Sequence, residues 1–267
     1  MLSNNDFAKL IYRTHASTEF GILVQFPFNV THPIPDLNAT HIMGRNGDFI
    51  QDEGSFQDVT ETFNVIVNRP VKYQSHLEAE LEISDWLRKS DSGKPYDYLK
   101  FDFLPGYIFE AAIKDPFSLT WQSDFYATGT IPFFCKPFLK RTDGIDYKPV
   151  PHIDCTNLPG TANLFNQENT IAVPDWHIVG NGNFTITING FPYEFSDIED
   201  EVWLDGQEAN ATTELDGDDT TLINNQMRLA NNTTPKLFPG ENTFKLSVDA
   251  GSTVTKVEYK PNWGRLI

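Results

Sequence analysis

The chain has 267 residues, of which 39% are hydrophobic and 13% aromatic, and this composition favours strands over a helical bundle. Its 37 acidic and 20 basic residues give a formal net charge of −17, which argues against nucleic-acid binding by neutralisation of phosphates. Neither a signal peptide nor a membrane span is recognisable, so we expect a chain that is made and kept in the cytoplasm, or that leaves by a route without a signal, and that has no membrane partner.

Strand patterns follow one another in the first half of the chain. In "IMGRNGDFI", residues 42–50, the pair Asn46-Gly47 predicts a two-residue type I′ hairpin turn. Alternating apolar residues predict half-buried strands in "TFNVIVN" (62–68), "YIFEAAI" (107–113) and "FSLTW" (117–121).

One helix is predicted in this half, over "SHLEAELEISDWLRKS", residues 75–90. Ser75 and Glu78 have the spacing of a capping box, and Arg88 and Lys89 fall in the last turn, where the helix dipole favours cations. The predicted buried stripe consists of Leu77, Leu81, Ile83 and Leu87.

A proline-punctuated stretch, residues 141–160, predicts a domain boundary near residue 145. Beyond it, "NFTITINGFPYEF" predicts a hairpin that turns at Asn189-Gly190, and residues 243–261 predict a second pair of strands with Gly251 in the turn. Short strands with no helix among them predict a β-sandwich. The fold class is therefore mainly β, with β-sheets and one α-helix in residues 1–145 and a sandwich in residues 146–267.

No catalytic or cofactor motif is found, so we expect neither an enzyme nor a bound cofactor. "HLEAE", residues 76–80, has Glu80 where a zinc helix needs a second histidine, and the six histidines are scattered singly, so no metal site is predicted from them. The segment 194–219 contains eleven acidic residues and no Lys or Arg. It fits either a Ca²⁺ site, for which "LDGDD" at 215–219 has suitable chemistry, or a solvated surface that meets a basic partner.

Three tryptophans of the second half, Trp176, Trp203 and Trp263, allow two interpretations. They fit an aromatic platform on which sugars stack, with Trp203 as the candidate residue, or they fill the inner face of a sandwich. Paired carboxylates for glycoside hydrolysis are not indicated, because the abundance of acids says nothing about their placement.

Six pieces occur in an order that resembles the distal tail protein (Dit) family of siphophages, the long-tailed phages with flexible, non-contractile tails. They are "IMGRNGDFI…GSFQD", "WLRKSDSGKPYDYLKFD…YIFEAAI", "GTIPFFCKPFLK", "GNFTITING", "LFPGENTF" and "VTKVEYKPNWGRLI". The resemblance covers nearly the whole chain.

This resemblance implies a structural hub with a ring-forming belt domain, residues 1–145, and a galectin-like β-sandwich that projects outward, residues 146–267. The implied partners are other copies of the chain in a hexameric ring, the major tail tube protein, the tail-associated tip protein, and receptor-binding or baseplate proteins. The implied location is the distal tip of the phage tail in the virion, after assembly in the host bacterial cytoplasm. The ring would leave a channel for DNA passage, which the acidic balance suits.

The family motif around the glycine-flanked turn matches Gly44, Arg45 and Gly47, which places Arg45 at or near a subunit contact. "FFCKPF", residues 133–138, matches the strand that closes the belt domain, so Cys135 is expected in the core. The alternative function is that of a carbohydrate-binding protein, in which the C-terminal sandwich recognises host cell-wall sugars through Trp203.

Overall fold

The structure is a computed structural model that describes residues 7–26, 29–89, 93–214 and 220–267. As the sequence predicts, it is mainly β, and its described part contains one α-helix. The described residues form two compact units, one within residues 1–139 together with Leu266 and Ile267, the other within residues 140–265. The roles given to residues 1–145 and 146–267 stay predictions. No described helix is long and apolar enough to span a membrane.

The first unit is built around one antiparallel sheet and a separate hairpin. Its elements are β1 (Phe7–Ala8), β2 (Leu10–Tyr12), β3 (His15–Ala16), β4 (Ile22–Gln25), β5 (Pro35–His41), β6 (Asp48–Phe56), β7 (Val59–Asn68), α1 (His76–Arg88), β8 (Asp97–Phe101), β9 (Tyr107–Ala112), β10 (Ser118–Trp121) and β11 (Tyr126–Cys135), followed by β12 (Phe138–Arg141) at the boundary between the units. The main path of the sheet runs β1-β4-β7-β11-β9-β8-β2-β3, with β10 beside β11. The strands predicted in residues 62–68, 107–113 and 117–121 are confirmed as β7, β9 and β10.

The sheet of the first unit curls around its own core. Phe63 on β7 and Phe101 on β8 lie three steps apart in the strand order, yet their ring centroids are 4.6 Å apart. Phe133 on β11 packs edge-on against Tyr12 on β2 at 5.2 Å. Cys135 is fully buried in this core, as predicted, and burial raises the pKa of its thiol far above the usual range.

Helix α1 is confirmed, but its buried face differs from the predicted stripe. Ser75 caps it by accepting a hydrogen bond from the Glu78 amide at 3.3 Å, while the Glu78 carboxylate accepts from the Gln74 amide. Ala79, Ile83, Trp86 and Leu87 are buried, whereas Leu77 and Leu81 are each 60% exposed. The prediction was wrong for Leu77 and Leu81 because Trp86, which donates to the Tyr12 carbonyl at 2.9 Å, turns the other face toward the sheet.

Where the structure describes it, the second unit contains strands only, apart from short 3₁₀ turns. Its strands are β13 (Lys148–Pro149), β14 (Gly160–Asn166), β15 (Asp175–Ile188), β16 (Phe191–Ile198), β17 (Glu201–Asp205), β18 (Asn210–Thr212), β19 (Met227–Arg228), β20 (Gly240–Val248) and β21 (Thr253–Lys260), with β22 (Gly264–Leu266) at the end. The predicted hairpin of β15 and β16 is confirmed, and Asn189 and Gly190 both have positive φ at its turn.

The long strand β15 belongs to both sheets of the second unit. Its first half pairs with β21 and β17, and its second half pairs with β20 and β16, with irregular register near Gly180 and Gly182. Trp176 lies between the sheets, stacked on Phe244 and Tyr259 at 5.6 Å each. The prediction that β20 and β21 pair with each other was wrong, because each of them pairs with a different half of β15.

We expect Leu87→Ala to lower the free energy of unfolding by about 2–5 kcal/mol, because Leu87 is fully buried and the change leaves a cavity. The matched control is Leu81→Ala in the same helix, which should change it by less than about 0.5 kcal/mol. Denaturant unfolding of both variants measures the difference. Equal losses would contradict the orientation of α1.

Candidate functional site

Strands β5 and β6 form a two-stranded hairpin, residues 35–56, that pairs with no other described strand; we call it the exposed hairpin. Leu37, Phe49 and Ile50 on it are 49%, 49% and 60% exposed, and Met43 in its loop is 91% exposed. A two-stranded hairpin is marginally stable in water by itself, and clustered exposed apolar residues mark interaction sites. The exposed hairpin is therefore the main candidate for an interaction surface.

The predicted motif residues Gly44, Arg45 and Gly47 all lie in the loop of the exposed hairpin. The strands end at His41 and resume at Asp48, so the connection has six residues and not the two of a type I′ turn. Of the loop residues, only Gly44 and Gly47 have positive φ, at 82° and 81°. The predicted turn at Asn46-Gly47 was therefore wrong in type, because Asn46 does not adopt the left-handed conformation that it requires.

The loop is open to solvent on all sides. A Cβ placed on Gly44 or Gly47 meets no atom within 4 Å, so backbone conformation alone calls for glycine there. Arg45 is exposed, and its amide donates to the Ile42 carbonyl at 3.1 Å. The guanidinium is therefore at the tip of the exposed hairpin, where another molecule can reach it.

The root of the exposed hairpin is fastened by a buried carboxylate. Glu61 on β7 is 1% exposed, and its Oε1 accepts a hydrogen bond from the Thr31 amide at 2.7 Å. His32 contacts the Ile267 carbonyl through Nδ1 at 2.9 Å, and Pro33 is buried. Burial raises the pKa of Glu61, and the hydrogen bonds from Thr31 only partly oppose it. Glu61 was not predicted from the sequence, although its position in phase with the apolar residues Val59 and Phe63 indicates the buried face of β7.

One face of the exposed hairpin combines apolar and acidic side chains. Directly paired residues share a face, and the register pairs Leu37 with Asp52, Ala39 with Ile50 and His41 with Asp48. His41 contacts Asp48 at 3.1 Å, and the Asp52 carboxylate accepts from the Gly54 amide at 2.8 Å. A partner for this face needs an apolar surface with cations beside it.

Trp203, the candidate for sugar stacking, lies in a cluster of the second unit. One face of its indole stacks on His177, with ring centroids 3.5 Å apart and planes within 6°, and the Tyr147 ring meets it edge-on at 5.1 Å. Its Nε1 donates to Glu201 at 3.0 Å. A sugar would have to use the ring face opposite His177, and stacking on Trp203 stays a prediction.

His177 is 5% exposed, and each of its ring nitrogens faces a carboxylate. Nε2 lies 2.9 Å from Glu201, and Nδ1 lies 3.1 Å from Glu258. Burial raises the pKa of both glutamates, but hydrogen bonds from Trp203 and His177 to Glu201, and from Lys256 and His177 to Glu258, outweigh it and hold both pKa values below the usual range. These contacts bind β15, β17 and β21 together and make the cluster a structural element of the sandwich.

The other two tryptophans of the second unit are buried, at 0% for Trp176 and 5% for Trp263. Lys148 lies 3.9 Å from the ring centroid of Trp263, and the Arg141 guanidinium lies 5.5 Å from it. A platform of three exposed tryptophans is therefore absent from the described structure. Trp176 and Trp263 instead fit the alternative prediction, in which tryptophans fill the interior of the sandwich.

The acidic segment 194–219 does not converge on one point where the structure describes it. Glu194 pairs with Arg228 at 3.5 Å, and Glu201 belongs to the His177 cluster. The "LDGDD" stretch at 215–219 lies outside the described residues. Within the described ranges no three His, Cys, Asp or Glu side chains could hold a metal ion. His76 and Glu80 of α1 contact Asp124 and Trp121, respectively.

Comparison with known proteins supports the fold. The chain is similar to the crystal structure of the SPP1 Dit (gp 19.1) protein, which is described as a paradigm of the hub adsorption apparatus in phages that infect Gram-positive bacteria. The match has a TM-score of 0.63 and 13% sequence identity, and covers 95% of this chain and 98% of that one. No family model matches the chain, and no curated protein matches it by sequence. At this identity the likeness shows a shared fold.

We expect Glu61→Gln to flatten the pH dependence of stability. Because the pKa of Glu61 is raised in the folded state, its contribution is fully present below the ordinary value of 4.5 and is lost as pH rises through the raised pKa. Glutamine cannot ionise and can still accept from the Thr31 amide. Denaturant unfolding between about pH 4 and pH 8 should therefore show a smaller fall with rising pH than in the wild type.

The control for this test is Glu82→Gln, at an exposed position of α1, which should follow the wild type. A Glu61→Gln profile parallel to that of the wild type at every pH would contradict the role of Glu61 at the root of the exposed hairpin.

Proposed function

We propose that this chain is a structural hub protein of a phage tail tip and that it assembles into a closed ring of six copies. The observation that carries the proposal is the fold likeness to the SPP1 Dit protein, because it extends through both compact units and over almost the full length of both chains. In this proposal residues 1–145 form the ring, and residues 146–267 are a galectin-like sandwich that faces outward.

The exposed hairpin is the feature of the first unit that supports the proposal of a ring. Its apolar side chains need a covering surface, and in a homo-oligomeric ring each copy offers its neighbour the same surface. Such a contact joins two different patches, so it repeats around the ring until rotation closes it. The exposed Leu77 and Leu81 of α1 are a second apolar surface of the first unit that assembly would cover.

The proposed ring joins the tail tube protein on one side to the tail-associated tip protein on the other. The outward sandwiches hold receptor-binding or baseplate proteins, and DNA passes through the central channel. The net charge of −17 supports this last step, because acidic walls repel a phosphate backbone and let DNA pass without adhesion. No step in this function requires a catalytic residue, a cofactor or a metal.

The alternative proposal is carbohydrate binding by the sandwich through Trp203. The geometry gives it less support, since His177 covers one face of the indole and Glu201 holds its Nε1. If the free face stacks on sugar, full-length protein should bind host cell-wall polysaccharide and Trp203→Ala should lose that binding.

The ring is tested by light scattering after size exclusion, with negative-stain images of the peak, on full-length protein at two concentrations. We expect a species near six times the chain mass of 30.3 kDa, with a central hole. A monodisperse monomer at both concentrations would contradict the proposal.

We expect Arg45→Ala to weaken assembly at low salt, because the guanidinium at the hairpin tip would lose a carboxylate of the neighbouring copy. An exposed ion pair contributes about 0.2–1 kcal/mol, and salt screens it, so the difference from the wild type should shrink at high salt. Arg45→Lys keeps the charge but not the planar fork and should be intermediate. If Arg45→Ala assembled as well as the wild type at all salt concentrations, Arg45 would not be part of the contact between copies.

A further inference from the structure

A cleft of about 460 Å³ in the first unit is lined by an unusual concentration of cations. We call it the basic cleft; its charged residues are Arg13, Arg88, Lys94 and Lys114. Among the lining residues that the structure describes, none is acidic. The whole chain has almost twice as many acidic as basic residues, so this cluster of cations is opposite in sign to the net charge of the protein.

Two cations of the basic cleft, Arg88 and Lys114, lie over aromatic rings. The Lys114 ammonium lies 4.3 Å from the ring centroid of Phe134, and the Arg88 guanidinium lies 5.4 Å from that of Phe117. Within the described ranges, no carboxylate forms an ion pair with Arg13, Arg88 or Lys114. The aromatic contacts orient Arg88 and Lys114 while leaving their charges available to an anion from outside. The Arg13 guanidinium also donates a hydrogen bond to the Lys89 carbonyl.

The wall between the cations is apolar, and Pro95, Ile113 and Phe134 contribute to it. The basic cleft therefore suits an occupant that presents carboxylates together with aliphatic side chains. Inorganic phosphate fits less well, because it has no apolar part to cover the wall. An acidic and apolar protein segment satisfies both requirements.

The exposed hairpin has this chemistry. Residues 35–56 contain four acidic residues and one basic residue, and Asp48 and Asp52 share a face with Leu37 and Ile50. Leu37 and Ile50 supply the apolar side chains and the two aspartates supply the carboxylates. The two surfaces are complementary in both charge and hydrophobicity, and they are different patches of one chain, which is what a ring contact requires.

We infer that the basic cleft of one copy receives the exposed hairpin of the next copy, with Asp48 and Asp52 facing Arg88 and Lys114 and with the tip residue Arg45 extending past the cleft toward carboxylates outside it. This inference rests on the proposed ring, and it identifies the receiving surface. Arg13 and Lys94 add to the positive field that attracts the hairpin. The contact uses charge to set the register and apolar burial to supply affinity.

The test uses two full-length charge-reversal variants. The cleft variant is Arg88→Glu with Lys114→Glu, and the hairpin variant is Asp48→Lys with Asp52→Lys. Each variant alone places like charges opposite each other and should raise the concentration needed for assembly by roughly a hundredfold. A mixture of the two in equal amounts restores opposite charges at every contact, so it should assemble into rings in which the variants alternate.

The control variant, Lys100→Glu with Lys245→Glu, makes the same change in net charge at exposed positions outside the basic cleft and should assemble like the wild type. Circular dichroism confirms that every variant is folded before it is compared, and Arg88→Ala with Lys114→Ala replaces a cleft variant that does not fold. Light scattering after size exclusion gives the assembly state.

The possible outcomes separate this inference from the proposed function. Rings of wild-type protein together with undiminished rings of the cleft variant would overturn the inference and leave the ring proposal standing. Failure of the mixture to assemble, when the wild type does, would also overturn it. A wild-type protein that stays monomeric would contradict the ring and with it the inference.

Discussion

An antiparallel hairpin of two strands that exposes leucine, isoleucine and phenylalanine has no core of its own, and this constraint organises the first unit. The chain fastens the root of the exposed hairpin firmly, through Glu61 and Thr31, and leaves the rest of it without cover. Burying a glutamate costs free energy, so its presence here indicates that the root of the hairpin has to be held in a fixed position. This arrangement is the preorganised surface that the proposed ring contact requires.

Each of the two units has a rigid frame of its own. In the first unit, the curled sheet and α1 enclose one aromatic core; in the second, β15 runs through both sheets of the sandwich, so the sheets cannot separate without breaking a single strand. The cluster of His177, Trp203 and two glutamates strengthens one of these sheets. The proposed ring would require such rigidity of each copy.

Much of the fold could be predicted from alternating apolar residues and turn signals, because these local patterns report which face of a strand is buried. The pairing of distant strands could not be predicted, and the mistaken β20–β21 pair shows why: these neighbours in sequence lie end to end along one edge of β15, each paired with a different half of it. Leucine spacing alone placed Leu77 and Leu81 in the core, whereas the larger Trp86 decided which face of α1 turned inward. The loop with Gly44, Arg45 and Gly47 was located correctly from sequence, but the basic cleft was not, since its cations come from three separate segments of the chain.

The measurement that tests the central claim most directly is hydrogen exchange by mass spectrometry on full-length protein, in its assembled and dissociated fractions. If the exposed hairpin completes its packing on another copy, the amides of residues 35–56 should exchange much more slowly in the assembled fraction, while those of β15 should be equally protected in both. Equally fast exchange of residues 35–56 in both fractions would show that assembly leaves the exposed hairpin uncovered, and would contradict the account.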